Sequence, residues 1–327
     1  MTKRFLNLSL AIVGLVLIYF LGPKPNHPVY TTSWPVTPSE PYALETYIAQ
    51  KESLHHLRKD NEARILWSDS MHTPTEYAIL YLHGFSASHG EGAPVHERFA
   101  KSIGANLFLA RLEGHGLDTT EQLGSFTAAG SWKDALEALS IAQHLGKKVI
   151  VMSTSTGSTF ALKLAADYPD KVYALINMSP NLALGTSGAF LLNNHWGKQI
   201  ATLIFGRKRH TPQPPGADQY WDSAYTVNAL VQLEELIETT MLDETFTKIS
   251  CPVLTLYYYK DEQHHDEVID LEKIPEAHQL FSTPENQNTY IPLATPENHV
   301  LGSPLKSKDI EVVYKSMVHW WEGLEKP

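Results

Sequence analysis

Val149-Ile150-Val151-Met152-Ser153-Thr154-Ser155-Thr156-Gly157-Ser158-Thr159-Phe160-Ala161-Leu162 is the stretch that decides how this chain is read. Four apolar, mostly β-branched residues open it, as in a strand buried on both faces. After a run of small residues it resumes as Phe160-Ala161-Leu162-Lys163-Leu164-Ala165-Ala166, a helix-forming composition. A strand that turns at once into a helix, with serine at the corner, is the arrangement of a nucleophile elbow. The corner residue must hold a strained backbone. Side chains two positions to either side would collide as strand and helix close together, so those positions call for small residues. In the pattern Gly-x-Ser-x-Gly the second glycine is Gly157, and Ser153 stands in place of the first. Alone, the stretch offers several hydroxyls and no reason to choose among them.

The surrounding composition narrows the field. A chain of 327 residues can bury a sizeable core, and α/β folds of this size often form one domain. A formal net charge of −10 argues against nucleic acid as a partner, because phosphate binding needs a basic surface. The basic run Arg207-Lys208-Arg209-His210 reads as a solvated loop. The single cysteine, Cys251, cannot form an internal disulfide and reads as a buried inert thiol before Pro252.

The N-terminus differs in kind. Lys3-Arg4 precedes an apolar run from Phe5 to Leu21, broken only by Asn7 and Ser9. Residues 1–22 therefore read as a signal peptide or an uncleaved signal anchor. No small-x-small cleavage site or lipidation cysteine follows, so the positive-inside rule favours an anchor with the globular part outside the cytoplasmic membrane, periplasmic in a bacterium. Residues 23–41 contain Pro23, Pro25, Pro28, Pro35 and Pro38 and are expected to run as an extended, unpacked linker. The remaining residues, 42–327, form the globular domain.

Within that domain the apolar periodicity predicts a helix over Tyr42–Arg58 and strands over Ala63–Trp67 and Tyr77–Leu82, the latter running into His83-Gly84-Phe85-Ser86. A helix over Val95–Ile103 follows. Next comes a strand over Asn106–Leu112 that ends in Glu113-Gly114-His115-Gly116, then a helix over Trp132–Leu145 closed by Gly146. After the elbow, Val172–Met178 is another continuous apolar strand. Buried strands alternating with helices imply an α/β fold with a mostly parallel sheet and right-handed crossovers. The rhythm breaks between about 181 and 246, where helices near Gly188–Phe205 and Val227–Thr240 suggest a helical cap over the sheet's C-terminal edge. It returns with a strand over Pro252–Tyr259, a short helix near Val268–Lys273, a last strand over Asn288–Leu293 and a terminal helix over Ser307–Trp321.

Taken together, His83-Gly84-Phe85, Arg111-Leu112-Glu113-Gly114-His115-Gly116, the elbow, and the ending with a strand-Asp and then a loop-His resemble the α/β-hydrolase fold. More narrowly, the chain resembles the carboxylesterase, monoacylglycerol lipase and lysophospholipase group of serine hydrolases. The resemblance runs from about Tyr77 to the C-terminus and places the insertion where that group carries its cap. It implies a nucleophile at Ser155, a base at His299 and an orienting acid at Asp261, in the chain order Ser, Asp, His. Glu262 and Asp266 compete with Asp261, because the glycine usual before the acid is missing from Tyr257-Tyr258-Tyr259-Lys260. The oxyanion donors implied are the backbone N–H groups of Phe85 and Thr156. His115 borders the site without a proton-transfer role. Neither cofactor nor metal is expected. His264-His265 with Asp261 and Asp266 are near neighbours in one loop, which rarely converge on one ion.

The function expected is hydrolysis of carboxylic esters through an acyl-enzyme. The apolar cap and membrane-proximal placement favour hydrophobic substrates such as monoacylglycerols or lysolipids. Thioester or amide hydrolysis and acyl transfer are open to the same machinery. The competing class is a small-molecule-binding protein on a scaffold that has lost catalysis, supported only by Ser153 and the missing turn glycine.

Overall fold

In chain order, the computed structural model, which describes residues 2–324, contains α1 (Thr2–Phe20), α2 (Pro41–Glu52), β1 (Arg64–Leu66), β2 (Thr75–Leu82), α3 (Val95–Ser102), β3 (Asn106–Leu109), α4 (Ala128–Leu145), β4 (Gly146–Thr154) and α5 (Thr156–Asp167). Then come β5 (Ala174–Met178), α6 (Gly197–Phe205), β6 (Lys208–His210), β7 (Ala224–Thr226), α7 (Val227–Thr240) and α8 (Asp243–Phe246). The chain ends with β8 (Val253–Asp261), β9 (His264–His265), α9 (Lys273–Leu280), β10 (Asn288–Leu293) and α10 (Ile310–Gly323). Met1, residues 325–327 and the Lys3 and Arg4 side chains of the expected anchor lie outside the described residues.

One sheet runs in the order β1-β3-β2-β4-β5-β8-β10, with β9 hung on β8. Its path is parallel except for β1, which runs antiparallel to β3. Because side chains alternate along a strand, β2 and β4 feed two separate cores. Leu80, Leu82, Val149 and Val151 pack with Trp132 and Leu136 of α4 and Phe160 of α5. Ile79, Tyr81, Ile150 and Met152 pack with Phe99 of α3 and Val313 and Met317 of α10. Helices on both faces explain why these strands read as continuous apolar runs.

Several boundaries differ from expectation for local reasons. Helix α2 stops at Glu52 rather than Arg58. There the Glu52 carboxylate is taken by Arg111, at 2.7 Å to Nε. Gly146 opens β4 in an extended conformation instead of closing a helix with a free turn, and a β-carbon there would lie 2.6 Å from the Ala78 nitrogen. The expected helix over 188–205 is split. Gly188 and Trp196 are left-handed, and Gly197 sits against the Leu191 carbonyl, so only α6 is α-helical after a 3-10 turn at Ala189–Leu191. Around Val268 there is no helix. Ile269 bridges to Leu184, and the helix forms one step later as α9.

Residues 23–41 are extended but not unpacked. Trp132 Nε1 donates to the Thr31 carbonyl at 2.8 Å, Thr37 Oγ1 meets Ser140 Oγ at 2.8 Å, and Trp34 packs on Tyr168. Proline keeps the segment extended while its interspersed Tyr, Trp and Thr side chains find partners on α4, α5 and α7. Further upstream, α1 exposes Leu10, Val13, Leu17 and Phe20. Among the described residues no helix is long and apolar enough to cross a membrane.

The insertion between β5 and β8 holds α6, the β6–β7 hairpin, α7 and α8. Its α7 contributes Leu233 and Ile237 to a cluster with Leu123, Phe126 and Phe85, which lies three residues past the end of β2. Its Trp221 packs with Ala87 and Val300. The insertion thus meets the sheet at the two loops that carry candidate site residues.

Gly157 is a tight joint between strand β2 and helix α5. A β-carbon there would lie 2.1 Å from the Leu82 carbonyl oxygen. Gly157→Ala is therefore expected to lower stability by about 1–3 kcal/mol through overpacking. Gly323→Ala, facing open space at the end of α10, should stay within about 0.5 kcal/mol. Urea unfolding of both variants checks this, and equal midpoints would refute it.

Candidate active site

Ser155 sits at the corner between β4 and α5 with φ 53° and ψ −120°, a conformation costly for a residue with a β-carbon. Its backbone is held on three sides. Ser155 N–H donates to the Met178 carbonyl at 2.9 Å, and its carbonyl accepts from Ser158 and Asn181 at 2.9 and 3.1 Å. Ser153, in the place of a glycine, is fully buried and needs partners. Its hydroxyl lies 2.9 Å from Ser158 Oγ and 3.0 Å from Asn177 Oδ1.

His299 lies in the loop after β10. Its Nδ1–H donates to Asp266 Oδ2 at 2.6 Å, with the Asp266 side chain fully buried and that of His299 13% exposed. Burial by itself would lower the imidazole's pKa. The charge and hydrogen bond of Asp266, with help from Glu91, outweigh that and raise it above the ordinary 6.5.

Asp261 is not the partner of His299, so that expectation is corrected. Strand β8 runs on past the sheet into a hairpin with β9, and Asp261 sits at its exposed turn. There it bonds to His264 Nδ1 at 2.7 Å and accepts from Gln263 N–H at 3.0 Å. The returning strand then brings Asp266 level with Tyr258, whose carbonyl takes the Asp266 N–H at 3.1 Å. Asp266 reaches the sheet's edge only after the hairpin has closed. Glu262 turns instead to Tyr259, with which it bonds at 2.8 Å.

The loop after β2 supplies the other wall. His83 is buried, donates from Nδ1 to the Gly84 carbonyl at 3.0 Å and accepts at Nε2 from Leu112 N–H at 3.1 Å. Burial pushes its pKa down to about 4, so it is a neutral strut. His115 is buried beside it at 4.7 Å between ring centres, with its pKa driven well below the ordinary value by the same desolvation. Its Nδ1 meets the Glu113 carbonyl, a structural position. Phe85 turns its ring toward Phe126 and Tyr225. Thr156 is the first residue of α5, so its N–H points out of the helix end with no carbonyl one turn behind it.

Glu91 was not foreseen. It is 2% exposed, and the Gly84 N–H donates to its Oε2 at 2.6 Å. A β-carbon on Gly84 would lie 3.0 Å from both Glu91 oxygens and from Ser155 Cβ, so carboxylate and serine flank one glycine. Gly302, three residues past His299, packs on the backbone of Gly92 and Glu91. These contacts bring the His299 loop to the corner that Ser155 occupies. A lone acidic residue in the small-residue run Ser86–Gly92 was the only sequence signal. Beside Asp266 a groove of about 1240 Å³ opens, lined among others by Leu184, Ile237, Met241 and Tyr257. Among the described residues no group of His, Cys, Asp and Glu is arranged to hold a metal.

A corner serine with positive φ and a His–Asp pair at the sheet's C-terminal edge are the parts of a hydrolase site. Residues 73–262 match the family described as serine aminopeptidase, S33. The chain belongs to this family. Members share the α/β-hydrolase fold, and solved structures bear out the fold here. One, described with LipS and LipT, two metagenome-derived lipolytic enzymes, aligns with a TM-score of 0.64 at 16% identity, over 82% of this chain and 100% of its own. A monoglyceride lipase from Saccharomyces cerevisiae aligns at 0.60 and 13%, over 81% and 92%. A monoacylglycerol lipase from Paleococcus ferrophilus aligns at 0.55 and 14%, over 79% and 96%. At such identities the likeness extends to the fold alone. No curated protein sequence matches the chain.

The pairing makes a direct prediction. Asp266→Asn removes the charge that favours the imidazolium, so the pKa of His299 should fall, whereas Asp261→Asn should leave it in place. Proton NMR titration of the imidazoles distinguishes the two. A His299 resonance that follows Asp261 instead would overturn the assignment.

Proposed function

We propose that the protein is a serine hydrolase that cleaves carboxylic esters through an acyl-enzyme, with Ser155 as nucleophile, His299 as base and Asp266 as the orienting acid. The observation that carries this reading is the buried 2.6 Å bond from His299 Nδ1 to Asp266. It fixes the tautomer whose Nε2 is free to accept a proton. In the acylation step His299 Nε2 takes the Ser155 hydroxyl proton as Oγ bonds to the ester carbonyl carbon. The resulting oxyanion is met by the N–H groups of Phe85 and Thr156. On collapse the C–O bond to the leaving alcohol breaks, and the alcohol leaves with the proton from His299. Water then repeats the sequence on the acyl-enzyme and releases the acid.

The acyl side is assigned to hydrophobic chains. Phe85 carries its ring into the cluster of Phe126, Leu233 and Ile237, beside the position of the oxyanion. The insertion that supplies Leu233 and Ile237 acts as the cap. We assign α1 to holding the domain at a membrane surface, supported by its exposed Leu10, Val13, Leu17 and Phe20. Monoacylglycerols and lysolipids fit that placement.

Labelling by a fluorophosphonate tests the reading. The intact protein should label and Ser155→Ala should not, with ester hydrolysis falling by at least about 10³-fold. An unlabelled intact protein that cleaves no ester of any chain length sinks the proposal. Labelling that persists in Ser155→Ala moves the nucleophile elsewhere.

The pH dependence follows from the sign of the His299 shift. Only the neutral imidazole can accept the serine proton. Activity should therefore rise with pH through the pKa of His299, and the midpoint of that limb should lie above 6.5, the ordinary histidine value. A kcat/KM profile whose acid limb falls below that value contradicts the geometry.

A further inference from the structure

Glu91 takes no part in the scheme above, yet it bonds the loop after β2 at Gly84 and its backbone meets the His299 loop at Gly302. It closes a short 3-10 turn, His89–Glu91, that follows the loop after β2. Its Oε2 accepts the Gly84 N–H at 2.6 Å, and a β-carbon on Gly84 would lie 3.0 Å from either of its oxygens. Trp221, reaching in from the insertion, is among the groups that hold the pKa of the same carboxylate down. Next to Glu91 in sequence, Gly92 receives Gly302 of the His299 loop, with a Gly302 β-carbon 2.9 Å from Gly92 Cα.

The surroundings explain why a carboxylate is kept there. Burying it unpaired carries a penalty, and burial does raise its pKa. That rise is opposed by the Gly84 N–H, by the charges of His299 and Lys306, and by Trp221. The ionisable groups that bear on His299 are Asp266, Glu91 and Lys306. Lys306 Nζ sits over the Trp221 ring, 4.3 Å from its centre, and has no carboxylate within ion-pair distance among the described residues. Asp266 orients His299 through Nδ1, and Glu91 adds a second negative charge that makes no hydrogen bond to the ring.

We propose that Glu91 is a positioning residue with two tasks: it holds the Gly84–Phe85 peptide in place so that the Phe85 N–H is free for the oxyanion, and it supports the positive charge that forms on His299. This rests on the serine-hydrolase reading for the meaning of the oxyanion, though not for its effect on His299. The preceding peptide N–H is occupied by the carboxylate, so the Gly84–Phe85 turn is pinned one residue before the donor assigned to the oxyanion. A site built this way ties oxyanion stabilisation and base strength to one side chain.

Glu91→Gln is the discriminating variant. Its amide oxygen can still accept from the Gly84 N–H, so the loop keeps its shape while the charge is lost. The imidazole of His299 should then titrate about half a unit or more lower than in the unaltered protein, followed by NMR. The acid limb of kcat/KM for a short-chain p-nitrophenyl ester should move to lower pH with it. Glu91→Ala, which also frees the Gly84 peptide, should lower kcat by about tenfold or more with KM little changed. An unchanged His299 titration in Glu91→Gln overturns the charge-supporting task, and an unaltered kcat in Glu91→Ala overturns the peptide-holding task. The imidazole titration needs no turnover. A protein that failed to hydrolyse esters would therefore sink the esterase reading while leaving the effect of Glu91 on His299 measurable.

Discussion

The approach of Gly157 to the Leu82 carbonyl is the constraint on which the rest of this molecule depends. It lets α5 start directly against the end of β2, with no room for a β-carbon between them. The strained backbone of Ser155 follows from that closeness. A helix that must begin one residue after a buried strand can be reached only through a sharp corner. The same closeness places the His83–Phe85 turn beside the serine, because β2 and β4 are neighbours in register from Thr75 to Leu82. Packing at one glycine thereby aligns a side chain and a loop backbone that are far apart in sequence.

Around that corner the polar groups divide by burial. His83 and His115 are sealed in and kept neutral by desolvation, so they serve as spacers between backbone segments. His299 is also enclosed, but two carboxylates reverse the effect of burial. Three histidines within one small region thus behave in two ways, and the difference lies in what faces each ring.

Much of this was legible in the sequence. The continuous apolar runs of β2, β4 and β5 announced a parallel sheet, and Val227–Thr240 and Asn288–Leu293 fell where their periodicity put them. The elbow was readable because small residues are a steric requirement written directly into the chain. The carboxylate that pairs with His299 was readable only as one of three candidates, Asp261, Glu262 and Asp266. Whether β8 ends at Tyr259 or continues into a hairpin depends on β9 folding back on it, a pairing that no local pattern encodes. A shift of five residues, from Asp261 to Asp266, was the result. The hydroxyl of Ser153 was likewise opaque, since its partners Asn177 and Ser158 come from a neighbouring strand and the next helix turn. The proline-rich segment misled for another reason. Proline determines that a chain is extended and says nothing about whether aromatic neighbours will find a surface to lie on.

That segment has a mechanical consequence. Tyr30 bonds to Thr239 and His27 to Glu235, both on α7 of the insertion, while a few residues later Thr37 is bonded to Ser140 on α4 of the core. The segment is therefore stitched to the insertion and to the core alike. An insertion fastened in this way cannot shift as one piece without breaking those bonds, so residues 27–37 act as a tie between two parts of the chain that sequence places far apart.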